Sequence, residues 1–119
     1  MAKVEIESKQ ERADIRLAGA TIATARQTVR LRESGLPERV YIPKAAFADG
    51  VSLTATRGAR CPHKGDWHYY DLRYEGQTVT NAAWEYYAPL ESCAAITDHV
   101  AFDLDKVEVW IDGRRYQPS

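Results

Sequence analysis

The sequence has few of the residues that cross-link a chain or anchor it in a membrane. Only two of its 119 residues are cysteines, too few for a disulfide framework and typical of a reducing compartment. No apolar run approaches the ~20 residues that cross a bilayer as a helix. The first residues, Met-Ala-Lys-Val-Glu-Ile-Glu, lack the apolar core of a secretory signal. These absences predict a soluble, cytoplasmic protein with no membrane partner.

An excess of charge of one sign is also missing. The formal net charge is −1 at pH 7, which gives no general reason to bind a polyanion. The sequence has no phosphate-cradling glycine loop, no serine nucleophile elbow and no nucleic-acid signature. We therefore expect no nucleic-acid partner. The apolar fraction of 45% and the charged fraction of 28% are near the averages for a folded soluble domain.

What the sequence does contain is alternation of apolar and polar residues with a period of two, which predicts β-strands. Residues 13–25 alternate on both sides of Ala18-Gly19 and predict a hairpin. A second hairpin is predicted about Glu75-Gly76. The remaining predicted elements are strands at 28–33, 40–42, 51–56 and 102–111, a loop at 57–66, and one short helix near residues 91–99.

The two predicted hairpins resemble each other. Asp14 aligns with Asp71 and Ala25 with Ala82, with Asp, Arg, Gly, Thr and Ala identical between the two segments. We interpret this as a pseudo-duplicated β unit. Two such units predict a mainly β fold, in which two antiparallel sheets pack as a single domain around one core. The domain is expected over residues 13–112, after a segment 1–12 that could fray and before a tail 113–119.

The segment Arg60-Cys-Pro-His-Lys-Gly65 lies between the two units and concentrates reactive side chains. It brings a thiol, an ammonium group and an imidazole close together in sequence, and it leads into an aromatic strand. Ligand sites are common at junctions of this kind. Candidate catalytic residues are Cys61 and Lys64. Candidate ligand-binding residues are Arg60, His63, Lys64, Trp67, Tyr70 and Trp84.

Several short motifs are familiar as a set. They are Arg60-Cys-Pro-His-Lys-Gly65 with Tyr70, Asn81-Ala-Ala-Trp84 with Pro89-Leu90, Ala101-Phe102, and upstream Glu33-Ser-Gly-Leu-Pro37 with Tyr41 and Pro43. Together they resemble the family known as domain of unknown function 427, over roughly residues 13–112.

The resemblance implies a small bacterial-type domain of mostly antiparallel β structure. It associates the fold with the β-tent or Mss4-like group, which includes methionine sulfoxide reductase B and the cereblon ligand-binding domain. It implies no function, because the family has none assigned. Many β-tent members hold zinc with paired Cys-x-x-Cys motifs. This chain has no such pair, so the resemblance carries no zinc site over to it.

Three hypotheses of function follow. The first is binding of a small polar or anionic molecule at the loop 61–65, with Lys64 and Arg60 as charge partners and Trp67 and Trp84 as walls. The second is an enzyme that uses Cys61 as nucleophile or redox thiol, its pKa lowered by neighbouring cations. The third is a homodimeric interaction module that pairs through exposed edge strands.

No cofactor and no metal are expected. The side chains of suitable chemistry do not follow any established zinc spacing; they are Cys61, His63, His68, Cys93 and His99.

Overall fold

The computed structural model describes residues 3–118. In this part of the chain the backbone forms eleven strands and two short 3₁₀ helices. The 3₁₀ helices span Lys44–Ala46 and Glu91–Ile96. The strands are β1 (Val4–Lys9), β2 (Ala13–Leu17), β3 (Ala20–Ala25), β4 (Thr28–Glu33), β5 (Arg39–Pro43), β6 (Ser52–Cys61), β7 (Gly65–Tyr74), β8 (Gln77–Pro89), β9 (His99–Phe102), β10 (Glu108–Ile111) and β11 (Arg114–Arg115).

The strands form two antiparallel sheets. The larger sheet has seven strands in the order β1-β4-β5-β9-β8-β7-β6, and the smaller has four in the order β11-β10-β2-β3. This confirms the predicted fold class. No helix within residues 3–118 has the length and apolar character needed to cross a membrane.

The main core lies between the two sheets. The smaller sheet contributes Ile15, Ile22 and Val109, and the larger contributes Ile42 and Leu72, all of them almost completely buried. Strand residues that follow one another point to opposite faces of a sheet. The strands of the larger sheet therefore have a second face, which points away from this core.

A second apolar cluster covers part of that other face. Tyr41, the neighbour of Ile42 in β5, belongs to it, as does Ala101 of β9. Cys93 and Ile96, from the 3₁₀ helix Glu91–Ile96, pack against the same face and are buried. An open cleft occupies the rest of this face.

The two predicted hairpins are confirmed, and their turns have the same shape. Ala18 and Gly19 have φ values of 49° and 84°, and Glu75 and Gly76 have 49° and 80°. Two successive residues with positive φ make a type I′ turn, whose twist matches that of the flanking strands. The hairpin β2–β3 lies in the smaller sheet and β7–β8 in the larger. The pseudo-duplication itself stays an interpretation.

The bounds of the predicted loop at 57–66 are wrong, because only residues 62–64 form a turn. Strand β6 continues to Cys61 and pairs with β7, which begins at Gly65, across a bulge between Ala55 and Gly58. Because β6 is an edge strand exposed over almost its whole length, no buried face imposes alternation on its sequence. A Cβ at Gly58 would lie 2.0 Å from the carbonyl oxygen of Trp67, so close pairing requires a glycine there.

The predicted short helix is present but shorter and tighter than an α-helix over 91–99. It is a 3₁₀ helix that ends at Ile96, it is kinked at Cys93, and His99 already begins β9. The predicted strand at 102–111 is two strands, β9 and β10, which belong to different sheets. The turn between them is closed by the Asp103 carboxylate, which accepts a hydrogen bond from the backbone N–H of Asp105 at 3.0 Å.

Both ends of the described chain pair with neighbouring strands. Residues 4–9 form β1, which pairs with β4 along its whole length. Beyond the turn at Asp112-Gly113, β11 pairs with β10. The Tyr116 hydroxyl then donates a hydrogen bond to Glu38 Oε1 at 2.8 Å. These contacts attach the segments on either side of residues 13–112 to the sheets.

A buried carboxylate holds the connection between β1 and β2 against β4. Glu11 accepts hydrogen bonds from the Thr28 hydroxyl and from Arg30 Nε, the latter at 2.7 Å. Burial alone would raise the pKa of Glu11, but the hydrogen bonds from Arg30 and Thr28 and the charge of Arg30 outweigh it, so the pKa is lowered. The ionised form of Glu11 therefore stabilises the fold.

Candidate functional site

An open cleft lies on the face of the larger sheet that points away from the main core. Its volume is about 210 Å³, below the range of roughly 300–1,000 Å³ typical of drug-sized ligands. A ligand that fills it must be compact. The residues that line it are Leu31, Glu33, Leu36, Pro37, Arg39, Tyr41, Lys64, Trp67, Tyr69, Trp84 and Tyr86.

The aromatic lining follows from strand geometry. Trp67 and Tyr69 are two residues apart in β7, and Trp84 and Tyr86 are two apart in β8, so each pair shares one face. Tyr69 and Trp84 are direct cross-strand partners. The rings of Trp67 and Tyr69 meet edge to face, with centroids 4.8 Å apart. Together with Tyr41 of β5 they are the aromatic residues of the lining.

A nearly buried ion pair lies at one end of the cleft. Lys64 Nζ is 2.6 Å from Glu33 Oε1, and the two side chains are only 12% and 8% exposed. Lys64 Nζ also lies 5.4 Å from the centroid of the Tyr86 ring. The positive charge of Lys64 is thus neutralised by Glu33, a residue that the sequence analysis did not assign to the site.

The turn at Pro62–Lys64 presents this lysine, and Gly65 makes the turn feasible. The backbone N–H of Lys64 donates to the Cys61 carbonyl at 3.2 Å, and the Lys64 carbonyl accepts from Leu90 N–H at 2.8 Å. Gly65 has φ of +118°, and a Cβ there would lie 2.3 Å from the Ala88 carbonyl oxygen. Only glycine fits both the dihedral angle and the space.

Two tyrosines at the floor of the cleft remain protonated. Burial raises the pKa of Tyr41 well above its usual value, and burial together with the nearby Cys61 and Glu33 raises that of Tyr86. Trp84 Nε1 donates a hydrogen bond of 3.1 Å to the Tyr41 hydroxyl oxygen. The Tyr41 hydroxyl therefore keeps its own hydrogen for a further acceptor.

Arg39 is the second cation of the cleft. Its guanidinium carbon lies 5.1 Å from the centroid of the Trp84 ring, within the range of a cation–π contact. Among residues 3–118, no carboxylate forms an ion pair with Arg39. Within this described range its charge is therefore not neutralised by an ion pair.

The structure brings together Lys64, Trp67 and Trp84 of the residues assigned from sequence. Arg60 and His63 are exposed and are not part of the lining. Arg60 Nη1 lies 3.8 Å from Asp66 Oδ1. The sequence-based role of Arg60 as a charge partner for the ligand is thus not supported by its position, whereas Arg39, which was not assigned, lies in the cleft.

Tyr70 points to the opposite face of the sheet. It is buried, and its hydroxyl donates to Glu85 Oε1, which also accepts from Lys44 Nζ at 2.9 Å. The buried Nδ1 of His68, the direct cross-strand partner of Glu85, has no hydrogen-bond partner within the described residues. Tyr70 therefore belongs to a separate polar cluster and does not line the cleft.

Cys61 is half-buried at the end of β6 and packs against the apolar cluster beneath the cleft. The ammonium group expected to activate it, that of Lys64, is bound to Glu33. Cys93 is buried, and burial raises the pKa of its thiol. Across residues 3–118, no three His, Cys, Asp or Glu side chains converge as metal ligands.

Sequence reasoning missed Glu33, Arg39, Tyr41, Tyr69 and Tyr86 as parts of one site. The signal for some of them was present, because Glu33 and Tyr41 belong to the motifs on which the family resemblance depends. Arg39 and Tyr41 are also two residues apart in β5, and hence on one face of the sheet. Nothing in the sequence indicated that this face adjoins Lys64.

The sheet order and the cleft define the molecule as a small antiparallel β domain with an aromatic cleft on one face of its larger sheet. The chain belongs to the family described as a domain of unknown function (DUF427), whose model matches residues 5–113. This confirms the resemblance found in the motifs. A search of curated proteins gave no match.

Proposed function

We propose that this protein binds a small polar molecule in the aromatic cleft. The observation that carries the proposal is the lining itself. Five aromatic side chains, Tyr41, Trp67, Tyr69, Trp84 and Tyr86, surround a concave space that also contains charged groups. A concave, largely apolar surface with a few convergent polar groups is the usual form of a ligand site.

These rings are not part of the main core, although Tyr41 and Tyr86 are buried in the second apolar cluster and Trp67 and Trp84 pack against it. That core lies on the opposite face of the larger sheet and is filled by other residues. Trp67, Tyr69 and Trp84 each keep part of their surface exposed to the cleft. Covering such rings with a flat ligand recovers the free energy of apolar burial and of stacking.

The experiment is a screen of small polar fragments followed by the indole N–H signals in ¹⁵N NMR spectra. The chain has three tryptophans. Trp67 and Trp84 line the cleft, whereas Trp110 lies on β10 in the smaller sheet, with Arg16 4.1 Å from its ring centroid. Binding in the cleft should shift the signals of Trp67 and Trp84 and leave that of Trp110 unchanged.

Two results would count against ligand binding in the cleft. One is a screen in which no fragment moves the signals of Trp67 and Trp84. The other is a set of hits that move all three indole signals alike, since that would indicate nonspecific association. The variant Trp110→Phe is the matched control, because it removes the remote reporter and should retain the affinity of every cleft ligand.

The hypothesis of an enzyme that uses Cys61 as its nucleophile has less support from the geometry. Lys64, the cation expected to activate the thiol, is paired with Glu33. The homodimer stays a prediction. The exposed edge strand β6 offers backbone groups for pairing, but it also carries Arg57, Arg60 and a bulge, features that discourage association of edges. A native mass spectrum of the purified protein would report the oligomer and any retained ligand together.

A further inference from the structure

We propose that the ligand of the cleft is a compact planar carboxylate and that Arg39 is the residue that binds its carboxylate group. This inference rests on the proposed function, because it names the chemical class that the same cleft selects. It differs from the sequence-based hypothesis, which assigned the charge contacts to Lys64 and Arg60.

The charges of the cleft favour an anion. Lys64 and Glu33 neutralise each other across 2.6 Å and are both nearly buried. The phenols of Tyr41 and Tyr86 stay protonated because their pKa values are raised. Of the charged residues in the lining, Arg39 is then the one that forms no ion pair with any residue of the described range 3–118. The cleft as a whole thus carries one net positive charge.

A planar carboxylate fits both this charge and the aromatic walls. The guanidinium group is planar and presents parallel N–H donors that match the two oxygens of a carboxylate, as they also match a phosphate, but a tetrahedral anion lacks the flat body that the rings favour. Its contact with Trp84 is made by the guanidinium carbon over the ring at 5.1 Å, and such a contact does not use the N–H donors.

The body of the ligand is expected to be flat because the walls are aromatic. Trp67, Tyr69 and Trp84 offer ring faces and edges, which pack best against a planar conjugated group. The volume of about 210 Å³ limits the ligand to a single small ring system. An organic cation would also suit an aromatic surface, but the acidic group that could attract it, Glu33, is already paired, and Arg39 would repel it.

Three probes of nearly the same shape separate these possibilities. Benzoate, benzamide and benzamidinium are planar and carry charges of −1, 0 and +1 at pH 7.5. Their affinities are measured from the indole signals of Trp67 and Trp84. We expect benzoate to bind at least about tenfold more tightly than benzamide, because hydrogen bonds to charged groups are the stronger ones. Benzamidinium should bind most weakly.

The variant Arg39→Gln should abolish the preference for benzoate over benzamide while retaining the binding of benzamide. Arg39→Lys keeps the charge but loses the paired donors, and it should give an intermediate preference. Arg60→Gln is the matched control, because Arg60 is exposed and outside the lining, and it should leave all three affinities unchanged. The dispersion of each NMR spectrum verifies that the variant is folded.

The outcomes are distinguishable. If no fragment of any charge binds in the cleft, the proposed function fails. If fragments bind but benzoate is not preferred, or if benzamidinium binds best, the carboxylate class is wrong although a ligand site remains. If benzoate is preferred and Arg39→Gln weakens all three probes equally, Arg39 is only part of the wall and the assignment of the anchor is overturned.

Discussion

Removing Lys64 should destabilise the protein strongly, because it leaves the carboxylate of Glu33 in a nearly buried site without its cation. The two groups are 2.6 Å apart, and their side chains are 12% and 8% exposed. When one partner of a buried ion pair is removed, the typical cost is about 3–5 kcal/mol. A pair on the surface contributes only about 0–1 kcal/mol. Because this pair is nearly buried, we expect Lys64→Met to have the larger cost, that of breaking a buried ion pair.

Urea unfolding at pH 7, followed by tryptophan fluorescence, measures this cost. With a denaturant slope of about 1–3 kcal/mol/M for a domain of this size, a loss of about 3 kcal/mol lowers the midpoint by about 1–3 M. The double variant Glu33→Gln with Lys64→Met removes both charges and should recover most of the loss. Lys106→Met is the matched control, since Lys106 Nζ lies 3.8 Å from Asp103 in a far more exposed pair.

Two results would refute the argument. One is a cost no larger than that of Lys106→Met. The other is a double variant whose loss equals the sum of the two single losses, because that would show that the two charges do not interact.

Three further predictions concern the frame of the site. Gly65→Ala should prevent folding or cost several kcal/mol, measured by urea unfolding, whereas Gly50→Ala, also at positive φ but with open space around it, should cost about 1–2 kcal/mol. The stability contributed by ionised Glu11 is fully present above its unfolded pKa of about 4.3 and is lost as the pH falls through the lower folded pKa. In the variant Glu11→Gln, the free energy of unfolding should therefore fall less steeply as the pH is lowered. A fall as steep as that of the wild type would contradict this role of Glu11. In native protein at pH 8, a thiol reagent should label half-buried Cys61 faster than buried Cys93. Equal rates that match those of the unfolded chain would contradict the packing of both thiols.

The sequence was most informative where local chemistry decides the structure. Gly19 and Gly76 marked the two hairpin turns, because a type I′ turn needs positive φ that glycine adopts readily. Alternation marked the strands that have one buried face. It did not mark residues 57–61, because an edge strand with both faces exposed is under no such constraint.

The site was less predictable, because it depends on contacts between residues far apart in the chain. Lys64, Trp67 and Trp84 could be assigned from their chemistry and from the hairpin that contains two of them. The pairing of Lys64 with Glu33, 31 residues away, depends on how β4 and the 61–65 turn meet on one face of the sheet. Arg39 became a candidate only when its position showed that no carboxylate of the described chain neutralises it.

Because residues in the strands of the larger sheet alternate between its two faces, the residues of the cleft can vary in evolution separately from those of the main core. The residues that face the cleft have odd numbers in β5 and β7 and even numbers in β8. The residues between them face the main core or the polar cluster on the other side of the sheet. Residues that line the cleft and residues that fill the main core therefore alternate along the same strands. Substitutions at Arg39, Trp67 or Trp84 can change the lining of the cleft while Ile42 and Leu72 continue to hold the sheets together.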